Sequence, residues 1–340
     1  MIIKLQNSIS EKDKQNIINT LLAKKYKTSE VKTQSGNYIV AIGNYNTDIR
    51  TFGKLKGVLD IFRVPDTYKF VSSKWKINPT EIKINKNISI GGRNFTIIAG
   101  PCSIENENQV TTIAKHLVNN NIKFMRGGVF KPRSSPYTFR GLGLKGLKMF
   151  HQIAKEYNLK IITEVMEISQ IPQMYEYVDI FQIGTRNSQN FNLLAELGKI
   201  NKPVMIKRAL SGTIDELLQS AEYIFSSGNE KIILCERGIR TFENAYRNTL
   251  DLNAVTILKE KSHLPVIVDP SHGVGIRNHI IPMSLASVMA GADGIMVEIH
   301  PIPEEAKSDG QQTLNLQEAE DLYNKLNETV KLRNKILLHL

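Results

Sequence analysis

Gly294-Ile295-Met296-Val297-Glu298-Ile299-His300 is a short apolar run that carries a single carboxylate. Side chains alternate along a strand, so Ile295, Val297 and Ile299 share one face suited to packing on helices, while Met296, Glu298 and His300 share the other. Seven earlier runs have the same character: Thr96 to Gly100, Lys123 to Gly127, Lys160 to Val165, Ile180 to Gly184, Pro203 to Lys207, Lys231 to Cys235 and Pro265 to Asp269. Helical patterns separate them. Thr213-Ile214-Asp215-Glu216 opens one with a capping box, and Leu217, Leu218 and Ala221 continue it. Eight strand-helix units in about 250 residues predict a closed (β/α)8 TIM barrel over residues 91–340, since an open doubly wound sheet more often stops at five or six strands. In a closed barrel Glu298 points inward at the C-terminal mouth.

Residues 1–64 have a different rhythm. Met1 to Leu5 is strand-like, Ser10 to Lys25 is an amphipathic helix, and Glu30 to Gln34 and Tyr38 to Ile42 bracket the turn Ser35-Gly36-Asn37. Thr47 to Lys54 predicts a short helix and Val58 to Val64 a last strand. This βαββαβ order is that of a small ferredoxin-like α+β domain. Residues 65–90 then form a linker from Pro65 and a hairpin, Glu81 to Ile90, placed to plug the bottom of the barrel.

Composition narrows the function. Hydrophobic residues make up 41% and charged residues 23%, as in an ordinary globular protein. The net charge of +11 raises the question of nucleic acid, but residues 1–90 hold 16 Lys and Arg against 7 Asp and Glu, mostly as scattered lysines without a basic run. We therefore expect no nucleic-acid partner. No apolar run reaches the roughly 18 residues of a membrane span, and no signal-peptide pattern opens the chain. With only Cys102 and Cys235 available, there is no disulfide framework, and a cytoplasmic location is expected.

Barrel closure makes the first, seventh and eighth strands neighbours, so Cys102, His272, Glu298 and Asp309 converge. Each alone has a plain explanation: a small buried hydrophobe, a structural hydrogen-bonding His, a turn aspartate. Together, a thiol, an imidazole and two carboxylates form a mixed donor set suited to Mn, Fe, Co or Zn. Cations ring the same end of the barrel. Arg186, Lys207 and Arg237 fall in phase with inward-facing positions, Arg126 ends the second strand, and Lys131 follows in Lys131-Pro132-Arg133-Ser134-Ser135-Pro136, a loop stiffened by two prolines. Charges at interior strand ends are costly without partners, so a bound anion or metal is the economical explanation.

Gly100-Pro101-Cys102-Ser103, Arg126-Gly127-Gly128, Lys131 to Pro136, Gln182-Ile183-Gly184-Thr185-Arg186-Asn187, Cys235-Glu236-Arg237-Gly238, Asp269-Pro270-Ser271-His272 and the segment from Glu298 to Asp309 together resemble the 3-deoxy-D-arabino-heptulosonate 7-phosphate (DAHP) synthase family. The N-terminal pattern resembles the regulatory domain of its short-chain type I-beta subgroup. The resemblance implies that Cys102, His272, Glu298 and Asp309 bind a divalent transition metal, with Lys131, Cys102 and His272 at the chemical step. It implies that Arg126 and Lys131 meet the carboxylate end of phosphoenolpyruvate, that Arg186, Lys207 and Arg237 hold its phosphate, and that Arg133 and Ser134 receive erythrose 4-phosphate. Glu164, inward by parity, and a water on the metal are the candidates for proton handling. Feedback inhibition by tyrosine or phenylalanine and a homotetramer are further implications. Thr28 and Ser29 lead into a strand that could offer tyrosine a hydroxyl. The sister reaction on arabinose 5-phosphate, giving 3-deoxy-D-manno-octulosonate 8-phosphate, is the alternative within enzymes; it is disfavoured because that family typically carries an Asn in the Lys131–Ser134 loop. A catalytically silent aromatic amino-acid sensor is the alternative of another class, and the complete set of ligands and cations argues against it.

Overall fold

The structure is a computed structural model that describes every residue except 44–46, 93, 133, 134, 136 and 337–340. Its first four strands, β1 (Ile2–Leu5), β2 (Lys27–Lys32), β3 (Asn37–Ile42) and β4 (Val58–Phe62), form an antiparallel sheet in the order β2-β3-β1-β4. A helix, Glu11–Ala23, follows β1, its first turn capped by Ser10 accepting from the Asp13 N–H. The second helix is shorter than the sequence predicts, covering only Arg50–Gly53, because Asp48 turns the chain by accepting from the Arg50 N–H. β2 also begins and ends earlier than expected: the Thr33 N–H donates to Gly36 O and Thr33 Oγ1 accepts from the Ser35 and Gly36 N–H groups, which turns the chain after Lys32. Thr28 and Ser29 thus lie inside β2, opposite Ala41 and Val40 and on opposite faces.

Alternation gives this sheet two different faces. Met1, Ile3, Leu5, Ile39 and Ala41 pack with Ile17, Leu21 and Phe52 of the sheet's own helices, whereas Ile2, Val31, Tyr38 and Val40 join the outer core of the larger domain. Tyr38 meets Phe70 and Trp75 edge-on, and Phe70 stacks on Phe225, so aromatic residues of the linker form the joint. The Thr33–Gly36 turn rests on Glu230, which accepts from the hydroxyls of Thr33 and Ser35. Glu230 lies two residues before the barrel strand that begins at Ile232, so the small domain of this chain sits toward the end of the barrel opposite the mouth.

A hairpin, β5 (Glu81–Lys83) with β6 (Ser89–Gly91), leads into the barrel. Its strands are β7 (Thr96–Gly100), β8 (Phe124–Arg126), β9 (Lys160–Val165), β10 (Ile180–Ile183), β11 (Val204–Lys207), β12 (Ile232–Glu236), β13 (Val266–Val268) and β14 (Gly294–Glu298), all parallel and closed by pairing of β14 with β7. Ile98, Phe124, Ile162, Ile180, Met205, Ile233, Ile267 and Met296 fill the interior. Ile82 and Ile90 of the hairpin pack into the same cluster, and their apolar side chains close the lower end. Ile295, Val297 and Ile299 belong instead to the layer between strands and helices. Among the described residues no helix is long and apolar enough to cross a membrane.

Candidate active site

Every candidate side chain that the structure describes comes from the C-terminal end of a strand or from the segment after it. Arg126, Lys207 and Glu298 end β8, β11 and β14, and Arg237 immediately follows β12. Arg186 lies in the single turn Thr185–Asn187 after β10, and His272 in the short helix Pro270–Val274 after β13. Asp309 follows β14 in the left-handed conformation, with φ of 55°, a strained backbone for a residue other than glycine. Arg133 and Ser134 lie outside the described residues.

Cys102, His272, Glu298 and Asp309 each offer one ligand atom, and the four atoms lie within 4.8 Å of one another. Cys102 Sγ is 3.3 Å from Asp309 Oδ2 and accepts from Lys131 Nζ at 3.0 Å. His272 Nε2 is 3.3 Å from Glu298 Oε1 and 3.9 Å from Asp309 Oδ2. The other ring nitrogen, Nδ1, donates to Asp269 Oδ2 at 2.8 Å, which leaves Nε2 as the free lone pair aimed at the cluster. Burial pushes His272 below its usual range against the pull of Asp269 and Glu298, keeping the ring neutral. It also pushes the Cys102 thiol up to about 12, with Glu298 adding to the rise and Lys131 opposing it. A thiol in this state surrenders its proton only to a strong competitor such as a metal ion. One sulfur, one imidazole nitrogen and two carboxylates fit a transition metal by the chemistry of the donors.

Beside this cluster opens a cavity of about 460 Å³, lined by Arg126, Lys131, Glu164, Arg186, Lys207 and Arg237 together with His272 and Asp309. Two of its cations have protein partners that the sequence reading did not supply. Arg126 Nη1 donates to Glu298 Oε1 at 3.0 Å, and Lys207 Nζ donates to Asp269 Oδ2. Burial opposes ionisation of Asp269, but His272 and Lys207 outweigh it and hold the carboxyl well below its usual range. The cost of burying these charges is thus partly met inside the protein, and only the remaining cations call for an external anion. Among the described residues, Nε of Arg126 and Nε of Arg237 are buried without a hydrogen-bond partner.

Glu164 is the acidic member of the cavity wall. Burial raises its carboxyl above the usual range, against the combined pull of Lys131, Lys207, Arg126 and Arg186. Gly184 makes its placement possible, because a Cβ at that position would overlap Glu164 Oε1. Arg240 and Arg247 also line the cavity and escaped the sequence reading. They lie in the long segment between β12 and the helix Leu252–Lys261, where strand parity gives no signal.

A TIM barrel with four side chains able to hold a metal at its mouth and a cation-lined cavity beside them has the architecture of a barrel enzyme, its site at the C-terminal ends of the strands. Comparison with known proteins narrows the class. Residues 79–335 match the DAHP synthetase I family. The phospho-2-dehydro-3-deoxyheptonate aldolase of Thermotoga maritima is 45% identical over 318 residues, 93% of this chain and 94% of that protein. A 2-dehydro-3-deoxyphosphooctonate aldolase of Francisella tularensis subsp. holarctica is 32% identical over 262 residues, 71% of this chain and 94% of that one. The crystal structure of the Thermotoga maritima DAHP synthase superposes with a TM-score of 0.78 at 43% identity, covering 97% of both chains. A truncated form of that enzyme superposes with a TM-score of 0.73 at 45% identity, over 78% of this chain and 97% of its own. The present chain belongs to the DAHP synthetase I family.

Proposed function

We propose that this protein condenses phosphoenolpyruvate with erythrose 4-phosphate and water, giving 3-deoxy-D-arabino-heptulosonate 7-phosphate and inorganic phosphate, the first step of the shikimate route. The observation that carries this reading is the convergence of four metal-binding atoms within 4.8 Å beside a cavity walled by cations. Two phosphorylated substrates, one also a carboxylate, need such a wall to be held in attack geometry.

In this reading Arg186, Lys207 and Arg237 hold the phosphate of phosphoenolpyruvate, and Arg126 and Lys131 meet its carboxylate. The partnerless Nε donors of Arg126 and Arg237 support anion binding by these two side chains. Arg133 and Ser134 take the phosphate of the aldose. A divalent transition metal, Mn, Fe, Co or Zn, held by Cys102, His272, Glu298 and Asp309, supplies Lewis acidity toward the aldehyde oxygen. C3 of the enol phosphate forms the new bond to the aldehyde carbon, and the aldehyde oxygen takes a proton from the Glu164 carboxyl. The positive charge at C2 is quenched by water, whose proton passes to Glu164. The C2–O bond to phosphate then breaks, the phosphate leaves with both bonding electrons, and it takes up the proton that the C2 hydroxyl gives up as the ketone forms. The raised carboxyl of Glu164, surrounded by cations, suits a group that accepts and returns a proton.

We divide the chain into a regulatory domain, residues 1–64, a linker with hairpin, 65–90, and a catalytic barrel, 91–340. Tyrosine or phenylalanine bound between regulatory domains of neighbouring subunits, in a cytoplasmic homotetramer, draws them over the active sites. Attachment of the small domain away from the mouth of its own barrel is consistent with closure by a neighbour. Phosphate release from phosphoenolpyruvate, measured with erythrose 4-phosphate and with arabinose 5-phosphate, tests the substrate assignment. Preference for the four-carbon sugar is expected; preference for arabinose 5-phosphate assigns the octulosonate reaction instead.

A further inference from the structure

Each carboxylate of the donor cluster is divided between its two oxygens. Glu298 Oε1 faces the cluster, 3.3 Å from His272 Nε2, while Oε2 accepts from Gln312 Nε2 at 2.7 Å. Asp309 Oδ2 faces Cys102 Sγ at 3.3 Å, while Oδ1 lies 3.6 Å from Arg247 Nη1. The two outer partners are themselves joined, because Arg247 Nη1 donates to Gln312 Oε1 at 2.7 Å. Charge fixes the orientation of the amide, with its oxygen toward the guanidinium and its NH₂ toward the carboxylate. Gln312 is fully buried at the end of the single turn Gly310–Gln312, which Asp309 begins. Arg247 is anchored at its root, where its backbone N–H donates to Val274 O at 3.0 Å.

We infer that Arg247 and Gln312 are positioning residues that restrict Glu298 and Asp309 to one metal-facing oxygen each. A carboxylate with both oxygens free can bind a metal through both. Here that second contact would break the bond from Gln312 or the ion pair from Arg247, each backed by the other. The donor set therefore stays at one sulfur, one nitrogen and two oxygens, leaving coordination positions for a further oxygen ligand, as catalytic metal sites require. The inference rests on the metal reading proposed above and concerns the geometry of that site.

The experiment uses full-length protein loaded with cobalt(II), whose visible ligand-field bands weaken as coordination rises to six and whose near-ultraviolet thiolate band reports the Cys102 bond. Wild type and Cys102→Ser test the site itself: the thiolate band should be present in the first and lost in the second. Gln312→Leu removes the buried amide, and Arg247→Met, at a half-exposed side chain, removes its outer partner without disturbing the core. Both variants should keep the thiolate band, show weakened ligand-field bands, and bind cobalt less tightly, by about 10- to 100-fold for Gln312→Leu. Unchanged ligand-field spectra and cobalt affinity in both variants would overturn the bracing role while leaving the metal site standing. A thiolate band absent from wild type, or persisting in Cys102→Ser, would remove the proposed site and the inference with it.

Discussion

Asp269→Asn is a sharp perturbation because it preserves shape while changing one proton's place. In the native protein Asp269 is fully buried, with Oδ1 accepting from the His272 backbone N–H at 3.0 Å and Oδ2 accepting from His272 Nδ1 at 2.8 Å and from Lys207 Nζ. An asparagine can keep its oxygen at the first position and so preserve the helix cap. Its NH₂ group then occupies the second position, facing an ammonium and an imidazole N–H with no acceptor to offer. The ring must shift its proton from Nδ1 to Nε2, the atom that faces the donor cluster, and an N–H cannot bind a metal. Loss of such an outer partner costs roughly 10- to 100-fold in metal affinity. Lys207 is also left buried without its counter-charge, and breaking a buried pair in this way costs about 3–5 kcal/mol. Competition with a chromophoric chelator reads the first effect, and denaturant unfolding of the chelated protein reads the second. Metal binding as tight as in the unsubstituted protein would refute the tautomer argument, whatever happens to stability.

His263 makes stability depend on pH. Its Nε2–H donates to Phe70 O and its Nδ1 accepts from the Thr80 hydroxyl, both at 2.7 Å, and burial lowers its pKa from 6.5 to about 4. The folded value lies below the unfolded one, so this contribution is complete above pH 6.5 and is lost as pH falls toward 4, up to roughly 3 kcal/mol in all. Unfolding curves across that window should show the decline, and His263→Asn should flatten it; an equal slope in the variant would contradict the assignment. Arg133→Ala should raise the KM for erythrose 4-phosphate far more than that for phosphoenolpyruvate, and equal changes in steady-state kinetics would reassign the residue. A chain beginning at residue 66 should turn over substrate but lose inhibition by tyrosine or phenylalanine. Intact protein insensitive to both amino acids would leave the small domain a stabilising role, founded on the Tyr38, Phe70 and Trp75 contacts.

The barrel could be read from the sequence because strand parity is a local signal. Ile295, Val297 and Ile299 separate from Met296 by alternation alone, and the structure sorts them into the outer layer and the interior. The order of the small domain's elements was equally legible, although turn chemistry at Asp48 and Thr33 moved two of their boundaries. Convergence of the four donor residues followed from closure of the barrel. The electrostatic partnerships did not. Lys207 with Asp269 and Arg126 with Glu298 join residues from different strands, and periodicity says where a charge points but not which charge it meets. Arg240, Arg247 and Gln312 lie on irregular segments, where no repeating pattern assigns a facing. The joint through Tyr38, Phe70 and Trp75 was hidden for a related reason: aromatic residues in a linker reveal burial without revealing a partner.

The most direct measurement is the release of inorganic phosphate from phosphoenolpyruvate and erythrose 4-phosphate by protein stripped of metal with a chelator and then resupplied with a divalent transition metal. The account predicts no turnover after stripping, recovery on adding the metal to wild type, and no recovery in Cys102→Ser or His272→Ala. Full activity of the stripped protein, or of either variant, would contradict it.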